Sequence, residues 1–188
     1  MVDRGSYIDT RQGSVTRTDN PLDIAVGGKG WLSYQTPTGQ VAYGRDGSLT
    51  MDPQGTVVTT SGARLLDDGG APIVLPQGAS DLKISPDGTI TAAGTGPLAK
   101  IGVFDVPDIQ SFKRLGAGMM APAEGAANAV AMANPGIMQG ALEGSNVNPV
   151  REMTRLIDVQ RAYERTTQMM DNDNGLTRDM LQRISRPA

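Results

Sequence analysis

Four aspartates stand where a carboxylate pair could do chemistry: Asp46 and Asp52, and the adjacent Asp67-Asp68. Two carboxyls held roughly 5 to 9.5 Å apart can run glycoside hydrolysis, one as acid and the other as base or nucleophile. These aspartates lie at or near turn signals, however, where the Asx turn is the commoner use of the side chain. The turn role is preferred, and a carboxylate hydrolase is kept only as a rival. Gly27-Gly28-Lys29-Gly30 is superficially like a phosphate cradle. It lacks the Walker spacing and runs into Trp31 on an expected strand, not into a helix. Asp171-Asn172-Asp173-Asn174-Gly175 invites comparison with a calcium loop. The EF-hand template needs its Gly one position later and a Glu at the twelfth position, where this chain has Gln182. A kink or the end of a helix is expected there instead. Trp31, Tyr34 and Tyr43 could stack on a carbohydrate, yet a small β domain needs such residues in its core.

The missing residue types exclude more chemistry than these motifs offer. The 188 residues include no His and no Cys. That removes disulfides, thiolate nucleophiles, Fe–S clusters and cysteine zinc sites. It also removes the Ser-His-Asp triad and most general-base chemistry near neutral pH. No enzyme activity, cofactor, metal or small-molecule substrate is expected. The net charge is −3 and no basic stripe with interleaved aromatics is present, which argues against nucleic acid. No apolar run approaches the roughly 20 residues that span a bilayer, so membrane insertion is not expected. Met1-Val2-Asp3-Arg4-Gly5-Ser6 has no apolar stretch of the secretory-signal kind.

The elements that must carry any function differ between two regions. Of the 24 Gly, 23 lie at or before Gly144, while the chain from Pro149 onward has one Gly and 13 charged residues. The first region is expected to be short antiparallel strands punctuated by turns. Strands are expected near Leu22–Val26, Trp31–Gln35, Val41–Arg45, Ser48–Met51 and Thr56–Thr59. Others are expected near Ile73–Leu75, Leu82–Ser85, Thr89–Ala92 and Lys100–Val106. Asp-Gly and Ser-Gly supply the positive φ of two-residue hairpin turns. A small unit recurs at Asp46–Thr50, Gln54–Val58 and Asp87–Thr91. Its unequal spacing makes it a turn followed by a strand, not a solenoid repeat. The expected fold is mainly β, an irregular antiparallel body with a long C-terminal α-helix. Residues 1–20 form an extended lead-in, 21–115 the β body, 116–145 a Gly/Ala-rich connection and 146–188 the C-terminal assembly helix.

The helix has the strongest local signal. Asn148 suits the N-cap and Pro149 the first helical position. One stripe runs Met153, Leu156, Gln160, Tyr163, Thr167, Met170, Asn174, Thr177, Leu181, Ile184. A second runs Val159, Ala162, Thr166, Met169, Leu176, Met180. Polar members such as Gln160 are common where register and partner choice matter. From Pro149 to Ile184 such a helix is about 54 Å long. A compact chain of this length has a radius of gyration of about 16 Å. The helix is therefore expected to project and to meet a helix that this chain does not contain. The expected contact residues are Asn146, Val147 and Asn148 at the helix start and Met153, Leu156, Ile157, Gln160, Tyr163 and Met170 along it. The alternative is a β-type binding module, for a glycan or an envelope protein, with a helical anchor.

Asp9-Thr10-Arg11-Gln12-Gly13, Asn20–Val26, Gly30-Trp31-Leu32, Tyr43–Leu49 and Ser85–Ile90 occur in order along the chain. So do Leu142–Pro149, Glu152-Met153 and Val159–Glu164. In these motifs the chain resembles the flagellar rod and hook family over most of Asp9 to Ile184. The resemblance implies a structural subunit of the basal-body rod, in its proximal part, serving motility. It implies partners among other rod proteins and copies of itself in a helical assembly. It also implies export without a cleaved signal peptide and assembly in the periplasm. Members of the family begin with a long helix and an Asn/Ala-rich motif. This chain instead enters its β body within a few residues, so an N-terminal partner helix is expected to be absent, through truncation or a misplaced start.

Overall fold

The computed structural model describes residues 7–79, 81–123 and 129–184, and at 174 and 176–184 the backbone alone. It divides into two units, residues 1–146 and 147–188. In the first unit the described strand pairings are all antiparallel. The second unit is one α-helix, Pro149–Ile184, among its described residues.

The strand Trp31–Gln35 organises the body. One edge pairs with Val41–Gly44, from Leu32 opposite Gly44 to Gln35 opposite Val41. The other edge is shared. Tyr34 and Gln35 pair with Arg64–Leu65, and Trp31 and Leu32 pair with Val103–Asp105. Successive side chains on a strand point to opposite faces. Leu32 and Tyr34 accordingly enter a core with Ile24, Leu49, Leu65, Ile73, Leu75 and Ile101. Trp31 faces a smaller cluster with Ile8, Val106, Ile109, Phe112 and Met120. The strand is buried on both faces from Trp31 to Tyr34, with Ser33 as a buried polar member whose hydroxyl donates to Gly102 O.

Several expected strands are shorter or divided. Leu22–Val26 contracts to Ile24–Val26, and Lys83–Ile84 replaces Leu82–Ser85. Lys100–Val106 divides into Gly96–Lys100 and Val103–Asp105. Gly102 lies between them, and a Cβ there would sit 2.4 Å from the Asp67 carbonyl oxygen. Ile73–Leu75 forms no ladder strand. It makes a single bridge instead, Val74 with Thr56, next to another between Pro72 and Leu66.

Residues 116–145 carry strands as well as connections. Lys113–Gly116 and Met119–Ala121 form a hairpin, and Ile137–Gln139 pairs with Ile24–Val26. Ala141–Glu143 pairs with Val15–Arg17 inside the expected lead-in. Pieces of three residues are too short to leave a periodic signal, and the partners of Ile137–Gln139 and Ala141–Glu143 are over a hundred positions away.

The recurring glycine turns also differ from one another. Gly55 and Gly88 have φ of 87° and 92° and close the hairpins Leu49–Met51/Val57–Thr59 and Lys83–Ile84/Thr89–Ala92. Asp46-Gly47 closes no hairpin, since Val41–Gly44 and Leu49–Met51 are not neighbours in the sheet. Gly47 instead crosses Ile24 at close range, with Ile24 N donating to Gly47 O at 3.0 Å. The helix runs unbroken through Asn174-Gly175, where an end or a kink was expected. One interior Gly costs about 1 kcal/mol against Ala, too little to stop 36 residues.

Candidate assembly surfaces

The helix begins as its sequence dictates. The Asn148 Oδ1 accepts from Val150 N at 3.0 Å and Arg151 N at 3.2 Å, using two donors that a helix start leaves free. Counting about 100° per residue, Met153, Leu156, Ile157, Gln160, Tyr163 and Met170 share an arc of about 140°. Val150 and Val159 flank that arc, and Glu164 and Asp171 fall within it. Arg151, Arg155, Asp158, Arg161 and Arg165 occupy the rest of the circumference. The apolar side chains of the arc are exposed, from 46% at Ile157 to 74% at Tyr163. Such an arc is wider than a strict coiled-coil seam and matches a helix that covers a partner. Asn174, Leu176, Thr177, Met180, Leu181 and Ile184, expected to continue the stripes, lie outside the described side chains. No helix among the described residues is long and apolar enough to cross a membrane.

The residues before the helix are placed differently from one another. Val147 is exposed. Asn148 acts as the cap. The Asn146 amide is turned back into its own body: Nδ2 donates to Asp9 O at 3.1 Å and to Arg11 O at 2.9 Å. Beside it is a cluster that sequence reasoning missed. Glu143 Oε1 accepts from Gly13 N at 3.0 Å and pairs with Arg45 Nη1 at 3.2 Å. Arg45 Nη2 donates to Gly28 O, and the guanidinium lies 4.8 Å from the centre of the Trp31 ring. Both charged side chains are nearly buried. Arg45 and Glu143 fall inside two of the motifs quoted above, but 98 residues separate them and no local pattern joins them. Nearby, Asp9 is held at about 2 by its hydrogen bonds from Arg11. A lowered carboxyl contributes stability above its unfolded value and loses it as pH falls toward 2. The exposed position keeps that contribution small.

Three of the four candidate catalytic aspartates serve structure. Asp52 Oδ1 accepts from Gln54 N and Thr56 N at 3.0 and 2.7 Å. Asp67 Oδ1 does the same for Gly69 N and Ala71 N at 2.9 and 2.7 Å. Asp46 Oδ1 accepts from Ser48 N at 3.1 Å. These are Asx turns, the role preferred from sequence. Among the described residues no acidic cluster could hold a metal ion. Asp52→Ala and Asp67→Ala are each expected to lower body stability by about 1 kcal/mol, read by thermal melting. Trp31 and Tyr34 are buried, and the Tyr34 hydroxyl donates to Asp46 O. Burial raises the Tyr34 phenol well above its usual range. Tyr43 packs edge-on against Phe104 and Phe112. These rings fill cores and form no open stacking platform.

Comparison with known proteins agrees with this arrangement. A family model for the flagellar hook protein FlgE/F/G D1 domain matches residues 25–92. A second, for the flagellar basal body rod FlgEFG protein C-terminal region, matches residues 138–184. The flagellar basal-body rod protein FlgF of Rhizobium meliloti is 37% identical over 169 residues, covering 90% of this chain and 69% of the relative. FlgF of Caulobacter vibrioides is 35% identical over 186 residues, covering 99% and 75%. FlgG of the same organism is 34% identical over 174 residues, covering 87% and 65%. The first match lies within the β body, the second spans its last strands and the capped helix, and the chain belongs to the flagellar hook and basal-body rod protein family.

Proposed function

We propose that the chain is a structural, non-enzymatic subunit of the flagellar basal-body rod, in its proximal part. It joins copies of itself and other rod proteins through the apolar arc of the Pro149–Ile184 helix. The β body, residues 21–115, supplies the outer bulk, and residues 146–188 supply the contact. The subunit acts in the periplasm and is exported without a cleaved signal peptide. The observation that carries this reading is the exposed arc: Met153, Leu156, Ile157, Tyr163 and Met170 all face solvent. A patch of that kind marks a partner surface. Burying each such side chain is worth roughly 1.5–3 kcal/mol before ordering costs. The FlgF relatives are basal-body rod proteins by name, which supports the rod reading.

Deleting Pro149–Ala188 tests the proposal. Sedimentation velocity is expected to show loss of self-association, and pull-down loss of binding to other rod proteins. The Trp31 fluorescence melt of the body is expected to stay unchanged. Association that survives the deletion would overturn the role given to the helix.

A further inference from the structure

The segment Leu142–Asn146 belongs to the motif that most resembles the family, and its side chains point to a use other than contact between subunits. Four interactions tie it to residues 9–14. Gly144 N donates to Ser14 O at 2.8 Å, continuing the ladder of Val15–Arg17 with Ala141–Glu143. Gly13 N donates to Glu143 Oε1. The Asn146 Nδ2 spans the Asp9 and Arg11 carbonyls, so one amide holds two carbonyls of the same segment. The two segments also approach too closely for side chains, since a Cβ on Gly13 would lie 1.9 Å from Gly144 O.

The ion pair at the centre of this contact is incomplete. Arg45 Nε and Glu143 Oε2 are buried and meet no hydrogen-bond partner among the described residues. A buried pair with missing bonds is a poor source of stability, and its best-attested use is to fix register. Glu143 meets this description. It joins the incoming segment through Gly13, the sheet through Arg45 and the outgoing segment through its own backbone.

We propose that Leu142–Asn146 is an intrachain lock, with Asn146 as a positioning residue rather than a contact between subunits. The lock grips residues 9–14 and fixes the last residue of the body, after which the helical unit begins at Val147. Holding Asn146 orders the residue before the helical unit in advance and so lowers the ordering cost of assembly. This rests on the rod reading above.

Two variants of the full chain test it, Asn146→Asp and Gly13→Ala. The first is isosteric but cannot donate to the Asp9 and Arg11 carbonyls. The second wedges the same contact open from the other side and leaves Asn146 untouched. Hydrogen exchange is expected to speed up about tenfold or more in residues 9–16 and 141–146 of both. Self-association by sedimentation is expected to weaken about tenfold in both. The Trp31 melt of Asn146→Asp is expected to stay near that of the unaltered chain. Asn146→Asp that loses association with exchange unchanged would make Asn146 a direct contact and overturn the lock. Faster exchange with association unchanged would overturn its part in assembly. If the unaltered chain does not associate at all, the rod reading fails, and exchange alone still decides whether the lock exists.

Discussion

Replacing Gly47 by alanine is expected to destabilise the β body by about 3 kcal/mol, at the upper end of overpacking costs. In a chain of this size that lowers the melting temperature by roughly 6–12 °C. The cause is local and severe. A Cβ at position 47 would lie 1.7 Å from the Ile24 carbonyl oxygen and 2.7 Å from its carbonyl carbon. Both atoms are backbone, so no side-chain rotation relieves the clash. Ile24 is fully buried and its N–H already donates to Gly47 O. Moving either segment strains that bond and the neighbouring one from the Tyr34 hydroxyl to Asp46 O. Gly39→Ala separates this effect from simple backbone strain. Gly39 has φ of 85° with open space around it, so alanine there costs about 1–2 kcal/mol. A Gly47→Ala protein that melts like Gly39→Ala, or higher, would disprove the close crossing.

The Gly47 case shows where sequence stops informing. Asp46-Gly47-Ser48 and Asp87-Gly88-Thr89 look alike, and Gly88 does take the positive φ that a hairpin turn demands. Gly47 is required for a different reason, contact with a residue 23 positions earlier. Local patterns carry local causes. Trp31–Gln35 and Thr89–Ala92 were legible because alternation and flanking turns sit within a few residues of each strand. The helix start was legible because Asn148 caps its own helix and Pro149 suits the first turn. The strands Ile137–Gln139 and Ala141–Glu143 were not legible, because their stability comes from pairing with residues 15–26. Asn146 was read from sequence as an assembly contact together with Val147 and Asn148. Its two acceptors, Asp9 O and Arg11 O, lie 137 and 135 residues away, where no spacing argument reaches. The apolar arc is the converse case. Its period is local and could be read directly, while its partner belongs to no local pattern.

Placing aspartate at both Leu156 and Tyr163 is expected to abolish assembly while leaving the body folded. Burial of the two side chains is worth about 3–6 kcal/mol together. Their loss weakens association by about 10²–10⁴-fold at 1.4 kcal/mol per decade. Two desolvated carboxylates add a further penalty that opposes any apolar partner. Body stability has no reason to change, because both side chains are exposed in the chain alone. A control on the far side of the helix sharpens the result. Arg151→Ala and Arg165→Ala remove charges outside the arc and should change association little. Circular dichroism gives a second, independent readout. Tertiary packing normally supplies most of a helix's stability, and the described side chains of this one are exposed. Helix content should therefore rise with protein concentration in the unaltered chain as partners cover the arc. In the double aspartate variant it should stay flat. A variant that still gains helix content on concentration, or still binds rod proteins, would place the contact on another face of the helix.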